Sequence, residues 1–192
     1  MPVWICATCA NHYPDQESPP GECVICSDER QWVPSSGQRW TTAADLAAAG
    51  HRGDIREVEP GLLGIGADPP VAIGQRGLVI TTPEGNLLWD PSGFLDERAV
   101  AAVRDIGGLR TVTASHPHFY GSIVEWSHAF GAEILLPEAD AHWLTRPGPD
   151  PSGSSRASPW SSAAGTSRAA RSPTGRTAPT APACCSPGTP SS

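Results

Sequence analysis

The sequence predicts an α/β protein in three unlike parts: a small metal-binding ribbon, a layered domain of strands and helices, and a disordered tail. Three observations carry this reading. Two Cys-x-x-Cys pairs, Cys6/Cys9 and Cys23/Cys26, lie within the first 26 residues. Between residues 52 and 146, short apolar runs separated by turns give way to a strand–helix–strand–helix rhythm. From Pro147 onward Leu, Ile, Val, Phe and Tyr disappear.

The ribbon comes first, over residues 1–34. Four thiolates offered as two hooks make a tetrahedral S₄ site, which suits zinc or a single iron. Pro14, Pro19, Pro20 and Gly21 turn the 13-residue spacer back so that the second hook meets the first. A pair of disulfides is the competing reading, disfavoured by the repeated hook spacing and by an N-terminus without a secretory pattern. A rubredoxin-like iron site is another, weakened by the short loop between the hooks. His12 falls inside that loop and is expected to pack beside the site. The expected cofactor is one structural zinc, and the ribbon is a candidate docking point for a protein partner.

Residues 35–51 read as a linker and a short helix. Gln31–Trp40, with Pro34, Ser35, Ser36 and Gly37, is the linker. Thr42-Ala-Ala-Asp45 forms a capping box, Leu46–Ala49 continues the helix, and Gly50 ends it. Strands are expected at Ile55–Val58, Leu62–Ile65, Val71–Ile73 and Leu78–Thr82. The Pro83-Glu-Gly-Asn86 turn joins the last of these to Leu87–Asp90 as a hairpin. Asp96 caps a helix with Val100, Val103 and Ile106 on one face, stopped by Gly107-Gly108. Thr111–Ser115 is β-branched and reads as a buried strand, Gly121–Phe130 as a helix, Glu133–Leu136 as a strand and Glu138–Leu144 as a helix. The series stops at about half of what such a sheet normally needs. An incomplete sheet leaves an open edge and apolar surface, so aggregation is expected.

Charge and hydropathy exclude several classes. Residues 1–146 carry 19 acidic side chains against 9 arginines, and the whole chain has a net charge of −7 and no lysine. Nucleic acid is therefore not the expected partner. No run of 18 apolar residues occurs, so no membrane span is expected and the chain reads as cytoplasmic. Residues 147–192 are dominated by Ser, Pro and Ala, and such a segment cannot bury enough apolar surface to order itself.

The chemistry-bearing candidate of the second domain is Ser115-His116-Pro117-His118-Phe119-Tyr120. It comes after a strand, and function in open α/β sheets gathers at the carboxyl ends of strands. Residues two apart in an extended segment point the same way, so His116 and His118 can reach one ion. Two imidazoles need a third ligand from elsewhere. Loop histidines with ordinary hydrogen bonds fit the spacing as well. His128 and His142 are weaker candidates on expected helices. Asp90, in Trp89-Asp90-Pro91, is either a carboxylate supporting the site or a turn residue. Gly64-x-Gly66 has no helix after it and is not a phosphate loop.

With a His-x-His after a buried strand, the chain resembles the metallo-β-lactamase-fold hydrolases and glyoxylase-like proteins. The likeness runs over Glu57–Arg146 and includes Gly-Leu-Leu-Gly-Ile-Gly66 and Gly-Asn-Leu-Leu-Trp-Asp90. It is narrower still to bacterial members with an N-terminal zinc ribbon. The resemblance implies that residues 52–146 are the N-terminal half of an αββα domain, with His116 and His118 as ligands of a second, catalytic-site zinc. It also implies metal-assisted hydrolysis of a small-molecule substrate in intact relatives. The family motif is H-x-H-x-D-H, and Tyr120 and Gly121 stand where its Asp and second-metal His belong. A later histidine and bridging aspartate have no counterpart in residues 147–192. Reading that tail in a shifted frame permits Gly-Gly-His-like and Gly-Asp-like segments, so it is expected to be frameshifted and this copy catalytically impaired. The alternative is a non-catalytic binding or adaptor module on the same scaffold.

Overall fold

The computed structural model describes residues 1–31 and 33–146. The expectations for the tail, 147–192, lie outside them. No helix of the described residues is long and apolar enough to cross a membrane.

Two sheets organise these residues. The first holds β1 (Val3–Cys6), β2 (His12–Asp15) and β3 (Trp40–Thr41) in the order β2-β1-β3. β3 falls where the sequence suggested only a linker. Trp40 lies opposite Cys6 in the antiparallel pair, and its ring meets Tyr13 edge-on at 5.0 Å. The polar composition of residues 34–38 hides this return, because the pairing is decided by one aromatic covering the sulfurs. α1 (Ala43–Ala48) then starts at the expected capping box, with Thr42 accepting from the Asp45 amide and the Asp45 carboxylate accepting from the Thr42 amide. Leu46 buries against Ile5, Val71 and Phe94, which fastens the ribbon to the α/β domain.

The second sheet contains β4 (Arg52–Glu59), β5 (Leu62–Asp68), β6 (Gly77–Ile80), β7 (Leu87–Trp89), β8 (Thr111–Thr113) and β9 (Glu133–Leu135), in sequence order. β4 to β7 pair antiparallel; β7, β8 and β9 run parallel. Parallel neighbours need a crossover. α2 (Glu97–Asp105) and α3 (Ile123–Phe130) supply the two. Asp96 caps α2 through the Ala99 amide, and its other oxygen accepts from Gly53 N at 2.7 Å, tying the helix start to β4. α3 ends at Gly131 in the left-handed region, φ 63°. Ile65, Val79, Leu88 and Val112 of the sheet meet Val103, Ile123, Val124 and Trp126 of the helices in one core. The alternate residues Leu78, Ile80, Leu87 and Trp89 point to the opposite face, where Trp89 is 43% exposed.

Three expectations needed correction. Val71–Ile73 is a turn, not a strand, because Pro69 and Pro70 remove two ladder donors just before it and Gly74 closes it with φ 74°. Its Val71 is nevertheless buried. The core face of α2 is Ala99 and Val103, while Ile106 is 37% exposed. Ala99 is small enough to approach Gly53, where an added Cβ would lie 3.3 Å from it. Glu138–Trp143 forms a 3₁₀ turn instead of an α-helix.

Candidate metal centre and the histidine cleft

Cys6 and Cys9 flank the tight turn after β1, and Cys23 and Cys26 a second turn. All four sulfurs are buried and lie within 4.8 Å of one another. Sγ of Cys6 is 3.8 Å from that of Cys26, and Sγ of Cys9 is 3.6 Å from that of Cys23. A tetrahedron with zinc–sulfur bonds of ~2.3 Å has edges of about 3.8 Å. A disulfide would need about 2.05 Å. The set therefore fits a tetrahedral, thiolate-seeking ion. Asn11 Nδ2 donates to Cys9 Sγ at 3.3 Å and the Tyr13 hydroxyl donates to Cys23 Sγ at 3.1 Å. The Tyr13 hydroxyl oxygen in turn accepts from Val24 N. His12 is no part of the set.

The turn between the first hook and β2 plugs into the α/β domain. Ala10 sits at φ 60°. A Cβ on Gly93 would lie 2.1 Å from Ala10 Cβ, and one on Gly121 would lie 2.2 Å from Ala10 O. Those two glycines form the notch that admits the ribbon backbone. Around it, His12 Nε2 donates to Gly93 O at 3.1 Å, and its Nδ1 faces Glu125 Oε2 at 3.2 Å. Arg146 pairs with the other oxygen of Glu125. Burial pushes the His12 imidazole down to about 4, and Arg146 adds to the effect.

His116 and His118 come after β8 across the 3₁₀ turn Pro117–Phe119, and their rings stand side by side with centroids 5.1 Å apart. The turn, not an extended strand, brings them together. Asp90 lies at the end of β7 with φ 54°, and accepts from Ser115 N at 2.6 Å and from Ser115 Oγ at 3.1 Å. Ser115 Oγ lies 3.2 Å from His116 Nδ1. With its proton directed to Asp90, that hydroxyl can accept from the His116 Nδ1 tautomer that carries a proton, which would leave Nε2 open to a ligand. Asp90 is thus both a strained turn residue and the carboxylate behind the site. Burial, then the neighbouring His116, lowers the pKa of His118. The pair borders a cleft of about 380 Å³ whose other wall is the ribbon, with Ile25, Asp28 and Arg30 opposite His116 and His118. Among the described residues no third His, Cys, Asp or Glu comes within 4.8 Å to complete a metal site with the pair. The described residues do not by themselves make a second metal centre at the histidine pair.

His128 and His142 are exposed and belong to no cluster of ligating groups among the described residues. Gly64 and Gly66 lie inside β5, where Arg76 packs over them and pairs with Asp54. Tyr120 is 2% exposed, and burial pushes its hydroxyl up to about 12. Sequence reasoning missed Asn11 and Gln75, both buried, which join the ribbon to the histidine turn. Neither carries a spacing signal, since their partners lie 106 and 43 residues away.

No family model matches the chain. It is 39% identical over 148 residues to the uncharacterized protein YmaE of Bacillus subtilis (strain 168), a match that covers 77% of this chain and 54% of that one. The chain thus spans about half the length of that relative. Among solved structures, it is similar to the metallo-β-lactamase SMB-1 in complex with mercaptoacetic acid. That likeness has 22% identity and a TM-score of 0.34, and covers 47% of this chain and 36% of the other.

Proposed function

We propose that the chain is a metallo-β-lactamase-like protein with a structural zinc in its ribbon, descended from enzymes that hydrolyse small-molecule esters, thioesters or lactams. The supporting observation is the imidazole pair at the carboxyl end of β8, with His116 held through Ser115 by Asp90 beside a cleft. Zinc held at such a pair would lower the pKa of bound water toward ~7 and polarise a carbonyl. What this chain contributes is an imidazole bonded through Ser115 to Asp90, a second ring alongside it, and a cleft walled on its far side by the ribbon. Lacking further ligands among the described residues, the chain as it stands hydrolyses little or nothing. Purified protein supplied with zinc and a chromogenic ester should turn over no faster than buffer. Turnover abolished by His116→Ala would instead establish an active enzyme.

A second reading, a non-catalytic binding module, is supported by Gly121. The position where the family carries a second-metal histidine is here occupied against the ribbon, and no side chain fits there without displacing Ala10. Zinc stoichiometry separates the two: one ion per chain supports the module, two support a loaded histidine site.

A further inference from the structure

We propose that the metal-loaded first hook of the ribbon is an internal latch that sets the His116–His118 turn, with Asn11 and Gln75 as its positioning residues. The connection is short and made twice. Asn11 Nδ2 lies 3.3 Å from Cys9 Sγ and 3.3 Å from Pro117 O, so one amide group touches both a metal-binding sulfur and the peptide between the two histidines. Gln75 Nε2 donates to Cys9 O at 3.0 Å and to His118 O at 2.7 Å. Asn11 is fully buried and Gln75 is 8% exposed, so water does not compete for these donors.

The hook can reach that turn only because Gly93 and Gly121 leave space for Ala10. Ala10 holds its left-handed conformation while its N–H donates to Cys6 O at 2.8 Å, within the hook itself. The hook geometry that four sulfurs impose is thus the geometry that seats Ala10 and aims Asn11. Loss of the ion frees Cys9, and with it two of the bonds that hold the 117–118 peptide segment. The coupling must be reciprocal: whatever the zinc does for the turn, the turn does for the zinc.

The test uses the full chain loaded with zinc. Gln75→Met keeps the length of the side chain and removes both donations; Gly121→Ala forces the notch open from the far side. Neither touches a sulfur. In both, the zinc affinity read by competition with a chelator should fall about tenfold relative to the unaltered chain, a typical coupling between linked sites. In the unaltered chain, proton NMR should show a cross-peak between the two imidazole rings that vanishes on chelation, while amide exchange in β6 and α2 stays as it was. Gln75→Met should lose the cross-peak even with zinc bound. Unchanged zinc affinity in the variants, or a cross-peak that survives chelation, would overturn the latch. So would melting of β6 and α2 along with the turn, which would make the ion a general support instead. If Gly121→Ala fails to fold, Gln75→Met decides alone.

Discussion

The ribbon and the α/β domain close themselves by opposite means. In the ribbon, three short strands bury few large side chains, and four sulfurs stand at the spacing one ion demands. In the α/β domain, aliphatic side chains of the sheet interdigitate with α2 and α3, and the histidine pair at its edge lacks, among the described residues, the partners that would complete it. A metal site built from two hooks 13 residues apart is nearly self-sufficient. A site gathered from strand ends depends on chain far away. Among the described residues, the cysteine cluster accordingly gathers four ligating groups at one point and the histidine turn only two.

The sharpest way to break the comparison is to remove the ion. Structural zinc is worth about 10–16 kcal/mol to small zinc-binding peptides at neutral pH. Chelation, or Cys23→Ser, should abolish amide protection in β1–β3 while the circular dichroism of α2 and α3 persists. Protection retained in β1–β3 would mean that apolar packing holds the ribbon after all. The converse experiment is Trp126→Ala, which should cost the α/β domain about 3–5 kcal/mol in denaturant unfolding. Zinc should remain bound to the ribbon at denaturant concentrations where that sheet has begun to open.

Acid probes the seam between the two regions. His12, buried at the seam beside Arg146, is pushed down by that burial to about 4 from an ordinary 6.5. Between those values the unfolded chain takes up a proton that the folded chain refuses, so stability falls as pH drops through this window and levels off below it. His12 should contribute up to about 1.4 kcal/mol per pH unit to that slope, the value for one proton. His12→Gln should flatten it, measured against the unaltered chain under the same zinc concentration. The smallest expected effect is Asp96→Ala, about 1 kcal/mol from the lost cap, with β4 loosening at Gly53.

Legibility in the sequence divides along the same line. The hooks, the Thr42 capping box, the Asp96 cap and the Gly131 stop are local signals, each set by residues within one or two turns. The β6–β7 hairpin and the strand–helix alternation from β8 onward were legible too, because turn residues and hydrophobic period mark them locally. What escaped were the long-range partners. Trp40 returns to pair with Cys6, 34 positions earlier in the chain. Gly121 reads as a missing ligand until Ala10 is seen against it. The His116–His118 pair was found from the right spacing for the wrong reason, since a 3₁₀ turn, not an extended strand, turns the two rings together. Asn11 and Gln75 give no pattern at all, because a buried amide is recognisable only by what it touches.

Metal content tests the central claim most directly. Mass spectrometry of the purified chain under non-denaturing conditions, at micromolar free zinc, should show one tightly held ion per molecule and none in Cys23→Ser. Two ions in the unaltered chain would mean that His116 and His118 find further ligands elsewhere in the chain. None would mean that the four sulfurs do not form a metal centre.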